Sequence, residues 1–122
     1  MAETKVTENE ISKQGWIAPT LLNSWVNYGN PYTPVGYMKD AMGFVHIKGF
    51  VKSGASGASV FTLPAGYRPA VNGSIYGVCN AGAGHGDIVI EQGTGNVTVY
   101  NITLGSNVST YASLNISFMA EA

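Results

Sequence analysis

The sequence predicts an all-β, antiparallel β-sandwich of jelly-roll type, and three observations carry that prediction. Beyond Trp16 the apolar residues recur at every second position, the period of a strand with one covered face. The alternating runs are short, about five to eleven residues, and Gly, Pro, Asn and Ser punctuate them. No segment carries the three-and-four spacing of an amphipathic helix. About eight or nine short strands in a chain of 122 residues fit one sandwich around one core.

From Met1 to Gln14 the chain is polar, with Val6 and Ile11 as its large apolar residues. Residues 1–15 therefore read as a linker or neck, and residues 16–122 as the sandwich domain. The expected strands are Leu21 to Tyr28, Pro34 to Lys39, Gly43 to Ser53, Ser59 to Leu63, Ser74 to Asn80, Asp87 to Glu91 and Asn96 to Leu104, followed by a last one from Ala112 to Ala120.

In the last of these, Ala112, Leu114, Ile116, Phe118 and Ala120 alternate with Ser113, Asn115, Ser117 and Met119. One face is apolar and the other mostly polar, which predicts a mid-sheet strand over the core. In Gly43 to Ser53, Val45, Ile47 and Val51 share one face, while Phe44, His46, Lys48, Phe50 and Lys52 share the other. Two aromatic rings among those polar residues predict a second, partly covered face, such as a subunit contact. Pro64-Ala65-Gly66 and Arg68-Pro69 break a strand, Gly93-Thr94-Gly95-Asn96 suits a hairpin turn, and the glycines from Ala81 to Gly86 predict a bent loop.

Charged residues are 11% of the chain, against about 25% in ordinary domains. With six basic and seven acidic residues the net charge is −1, which gives no footprint for nucleic acid or anionic lipid. The opening is polar and acidic, unlike a secretory signal, and no apolar run is long enough for a membrane-spanning helix. Synthesis in the cytoplasm, with no membrane insertion, is the expectation. The lone Cys79 supplies neither an internal disulfide nor a cysteine zinc site.

Catalytic sets are incomplete. Cys79, His85 and Asp87 fall within nine residues, but Cys79 sits in an apolar alternating run, where free cysteine is an inert hydrophobe. Asp87 and Glu91 share a strand face about 13 Å apart, too far for a glycosidase pair. Asp40 has no partner evident in sequence. His46 and His85 have no His or Cys at ligand spacing, and Gly82-Ala83-Gly84-His85-Gly86 leads into a strand where a phosphate cradle needs a helix. No enzyme activity, metal or cofactor is expected. Sequons begin at Asn72, Asn96, Asn101, Asn107 and Asn115, and read as by-products of a polar face rich in Asn, Ser and Thr.

Trp16, Trp25, Tyr28, Tyr32, Tyr37, Tyr67 and Tyr76 crowd the first two thirds of the chain. Such rings either fill a core or stack on the apolar CH faces of a sugar.

The order of motifs narrows the choice. Pro19-Thr20-Leu21-Leu22-Asn23-Ser24-Trp25-Val26-Asn27 comes first, then Tyr37-Met38-Lys39-Asp40 with Gly43-Phe44-Val45-His46-Ile47-Lys48-Gly49, then Phe61-Thr62-Leu63-Pro64-Ala65-Gly66-Tyr67-Arg68-Pro69. The series, over about Trp16 to Ala122, resembles the C-terminal head domain of tail fibre and receptor-binding proteins from phages and phage-tail-like bacteriocins of Gram-positive bacteria.

The resemblance implies a homotrimeric head at the virion tail tip, made in the host cytoplasm and acting outside it. Its implied partners are a bacterial cell-wall saccharide and an upstream fibre or baseplate protein. Lys39-Asp40 and Tyr67-Arg68-Pro69 read as architectural, a cross-strand charge pair and a fixed turn. By residue type and loop position, Trp25, Tyr32 and Tyr76 are the candidates to stack on sugar, and Arg68, His85 and Asp87 to bond its hydroxyls or charges. The alternative is a trimerisation or capping module of a fibre that binds no glycan.

Overall fold

The computed structural model describes residues 15–70, 74–81, 84–100 and 111–121. The expected neck up to residue 14, the sequons at Asn72, Asn101 and Asn107, the strand end at residues 101–104 and the side chain of Cys79 lie outside the described residues. The described residues form ten strands and no helix. They are β1 (Val26–Asn27), β2 (Gly36–Lys39), β3 (Phe44–Lys48), β4 (Phe50–Lys52), β5 (Ser59–Thr62), β6 (Ser74–Ala81), β7 (Gly84–Glu91), β8 (Asn96–Tyr100), β9 (Ala112–Ser113) and β10 (Ile116–Met119).

Seven strands make one sheet in the order β1-β4-β9-β6-β7-β8-β5, and three make the other in the order β10-β3-β2. Every pairing is antiparallel. The expected β-sandwich is thus present. Its core draws on both sheets: Val45, Ile47 and Phe118 from the small one, and Val51, Phe61, Ile88, Ile90, Val97, Val99 and Ala112 from the large one.

Two expected strands each serve both layers. Gly43 to Ser53 is broken at Gly49, where φ is +126°, so β3 runs in the small sheet and β4 in the large one. A Cβ at Gly49 would lie 2.5 Å from Val35 Cα and 2.8 Å from Val35 N, so the bend needs glycine for space as well as for φ. The last expected strand changes layer in the same way between β9 and β10, and the Leu114 amide donates to the Gly49 carbonyl at 2.9 Å where the two bends meet. The alternation survives both bends, with Val45, Ile47 and Val51 buried on one stretch and Ala112, Leu114 and Phe118 on the other. The mid-sheet expectation holds for β9; β10 is instead an edge strand of the small sheet.

Two further expectations are corrected. Leu21 to Tyr28 contains a tight turn, with φ of +54° at Asn23 and +69° at Ser24 and the Trp25 amide donating to Leu22 O at 3.0 Å. Asn and Ser tolerate those angles, and only Val26–Asn27 remains as strand. The loop expected from Ala81 to Gly86 is shorter, because β6 runs to Ala81 and β7 starts at Gly84.

Candidate functional site

The seven-stranded sheet carries its ring cluster on the outer face at the β1 edge. Val26 pairs with Lys52 and Phe50 with Ser113, so alternation points Phe50, Lys52 and Tyr111 away from the core residues Val51 and Ala112. Tyr28 continues β1 past its end, its amide donating to Phe50 O at 2.9 Å. The chain then turns through the cis Asn30-Pro31 peptide, and the Tyr32 amide donates to Gly29 O. Tyr32 thereby lies over the other three rings: 4.7 Å from Tyr28 edge-on, 5.3 Å from Phe50, and 6.0 Å from Tyr111 in a stacked arrangement. Lys52 Nζ stands 5.1 Å from the centre of the Tyr28 ring. Tyr32 is 39% exposed, so the cluster offers solvent a ring edge with a cation beside it. That combination suits a sugar, whose CH face stacks on a ring and whose hydroxyls find donors at the rim.

Further across the same outer face, Val78 pairs with Asp87, and Asp87 with Tyr100, while Tyr76 pairs with Val89. Tyr76 and Val78 are each 73% exposed, an apolar patch on a regular sheet. His85 and Asp87 alternate onto this face of β7, so Tyr76, His85 and Asp87 share it, Asp87 diagonal to Tyr76 and His85 opposite Asn80, about 13 Å further along from Tyr76, on a strand where a loop was expected for His85.

The remaining candidates lie elsewhere. Trp25 is 2% exposed, with its Nε1 donating to Ala58 O at 3.0 Å and its ring flush against Gly54, where a Cβ would overlap the indole. Burial removes it from the stacking set and makes it a core residue. Arg68 sits at the end of the sandwich, its Nε donating to Leu63 O at 3.1 Å and its Nη1 to Gly93 O at 3.2 Å. These bonds fix the turn, as the architectural reading has it. The Lys39-Asp40 pair is architectural too, but its partners differ from those expected. Lys39 Nζ donates to Gly66 O at 2.8 Å, and Asp40 turns to His46.

That second contact joins three segments. His46 Nε2 is 2.8 Å from Asp40 Oδ2, and His46 Nδ1 is 2.7 Å from the Ser117 hydroxyl on the neighbouring strand β10. Both ring nitrogens of His46 are thereby engaged, one by the carboxylate and one by the hydroxyl. Asp40 Oδ1 accepts the amides of Met42 and Phe44 at 2.9 and 3.0 Å, capping the β2–β3 turn. The bond from His46, with those two amides, holds the Asp40 carboxyl below its ordinary range despite partial burial. Beside this trio Phe44 and Met119, paired across β3 and β10 on the outer face of the small sheet, are 39% and 45% exposed, and Met42 in the adjoining β2–β3 turn is 74% exposed, a second apolar patch.

Sequence reasoning missed the partners of Asp40 and the role of Tyr111. Ser117 is 71 residues from His46, and only the β3–β10 register joins them. Tyr111 carried a usable signal, being two residues before Ser113 in the alternation of the last strand.

No protein-family model and no curated protein matches the sequence. Among solved structures the fold is similar to the receptor binding protein (gp15) of Listeria phage PSA, with a TM-score of 0.65 at 17% identity over 85% of this chain. The match spans 63% of the length of that phage protein, so the likeness is one of fold to part of a receptor binding protein.

Proposed function

We propose that the chain is the receptor-binding head of a phage tail or phage-tail-like particle, a non-enzymatic adhesin that binds a cell-surface glycan of a Gram-positive host. The observation that carries this reading is the ring cluster of Tyr28, Tyr32, Phe50 and Tyr111 with Lys52 at its edge. The fold likeness to a phage receptor binding protein supports the setting. Tyr32 is the principal stacking ring; Tyr76, His85 and Asp87 lie further across the same sheet face.

The head is a homotrimer on an upstream fibre or baseplate protein. The Tyr76 and Val78 patch and the Met42, Phe44 and Met119 patch lie on opposite outer faces of the sandwich. Two different patches that meet head to tail close into a ring where the rotation between copies returns to its start and run on as a filament where it does not, whereas a twofold dimer uses one patch twice. Three copies of a shallow site then gain strength by acting together.

Binding of the labelled protein to Gram-positive cells, and to mutants lacking defined wall glycans, tests the reading. Cell binding that is lost with one class of wall glycan and weakened by Tyr32→Ala supports it. A stable trimer that binds no cell wall overturns it in favour of a purely structural fibre cap, and release of reducing sugar from wall material overturns the non-enzymatic part.

A further inference from the structure

A recess opens at the end of the sandwich, lined by none of the ring-cluster residues. It is a cleft of about 440 Å³ between the segment that enters the domain and the turn after β5. Pro19, Leu22 and Pro64 give it apolar walls, and Thr20, Thr62, Arg68 and Tyr37 line it as well, the Thr62 hydroxyl donating to Asn96 Oδ1 at 2.9 Å. Arg68 is half-buried, and the two bonds that hold its guanidinium go to backbone carbonyls, which fix its direction without neutralising its charge. Among the described residues no carboxylate lies within 4.0 Å of it, since the ion pair found there is His46 with Asp40. A guanidinium has five N–H donors, and Arg68 spends two on Leu63 and Gly93. A pinned, unneutralised guanidinium in a recess is arranged for a planar or tetrahedral oxyanion.

We infer that this cleft binds an anionic group, a carboxylate or a phosphate carried on a sugar, through Arg68, with the sugar body against Pro19, Leu22 and Pro64. The inference rests on the adhesin reading for the source of the sugar, and it names an acidic unit of the glycan as the ligand class. Burial, with the neighbouring Tyr67, keeps the Tyr37 phenol protonated well beyond neutral pH, so it adds no negative charge to the site.

Titration of the full chain by NMR with glucuronate, glucose 1-phosphate and neutral glucose decides the matter. Saturable shifts of Arg68 and Thr20 signals with at least one acidic sugar and none with glucose are expected, and which acid binds separates carboxylate from phosphate. Arg68→Gln should weaken that binding at least tenfold. Because Arg68 also clamps the turn, a second variant, Thr20→Glu, places a carboxylate at an exposed lining position without touching the clamp, and it should abolish binding in a folded protein. Equal response to glucose, no response to either acid, or unchanged affinity in folded Thr20→Glu would overturn the inference. Cell binding that persists when the acids do not bind leaves the adhesin reading standing without this cleft; acid binding without cell binding does the reverse.

Discussion

The imidazole of His46 lies 2.8 Å from the Asp40 carboxylate, six residues back and across the β2–β3 turn. Asp40 is therefore held charged by a partner and by two turn amides at once, and its folded carboxyl titrates below the unfolded value of 3.8. A depressed carboxyl stabilises the fold at every pH above its unfolded value, and that contribution is lost as pH falls through the folded value. Asp40→Asn should cost about 1 kcal/mol at neutral pH. Urea denaturation from about pH 7 down to about pH 2 should show the two stability curves converging at the acid end. Curves that stay parallel across that range would mean the contact is not coupled to the fold.

Gly49 is where one alternating run passes from one sheet to the other, with Val35 packed directly against its α-carbon. Gly49→Ala forces a side chain both into a left-handed φ and into the Val35 backbone, at a cost on the order of 3 kcal/mol. Thermal melts check this. A melting point within a degree or two of the parent would show that the bend tolerates a methyl group.

The same bend explains how far the fold was legible in sequence. Burial of Val45, Ile47 and Val51 followed from the two-residue period, because a side chain keeps its inward parity even when the strand changes partner. The change of partner was not legible. It depends on the close approach of Val35 to Gly49 and on Leu114 N reaching Gly49 O across 65 residues. The candidate site was legible in its chemistry but not in its grouping. Tyr32 and Tyr76 share an outer sheet face with His85 and Asp87, whereas Trp25 belongs to the core because its N–H finds a carbonyl 33 residues later at Ala58.

Trp25 offers a control that separates folding from recognition. Trp25→Phe keeps most of the ring against Gly54 and loses the bond to Ala58 O, for a cost of about 1–2 kcal/mol from the bond and the space left. Denaturant midpoints should fall accordingly, while cell binding of the folded fraction at low temperature stays unchanged. Loss of binding by a folded Trp25→Phe protein would put the indole back in the recognition surface.

Tyr32 contributes the exposed edge of the ring cluster, and the three rings beneath it are packed by one another. Tyr32→Ala should leave the melting point within a few degrees and weaken glycan binding by roughly 1–2 kcal/mol per site, as loss of one aromatic contact does. On a trimer the cell-binding loss is larger than on a single head, because each weakened site lowers the combined avidity. Isothermal titration of the soluble glycan alongside cell binding measures both. Equal losses in the two assays would argue against several sites acting together.

The two apolar patches make a sharper prediction than assembly alone. In the proposed head-to-tail trimer each contact joins the Val78 patch of one copy to the Met42 patch of the next, so the parent should run at about 38 kDa, three copies of 12.8 kDa, and Val78→Glu and Met42→Glu should each reduce that to the mass of one. Each variant nevertheless keeps the patch that the other has lost. Mixed together, a Val78→Glu copy still presents Met42 and a Met42→Glu copy still presents Val78, so one sound contact forms and the ring cannot close. Light scattering on a sizing column should then find a species of about 26 kDa, two copies of 12.8 kDa, in the mixture and in neither variant alone. A twofold interface gives a different pattern: one of the two substitutions would leave assembly intact, and mixing would restore nothing.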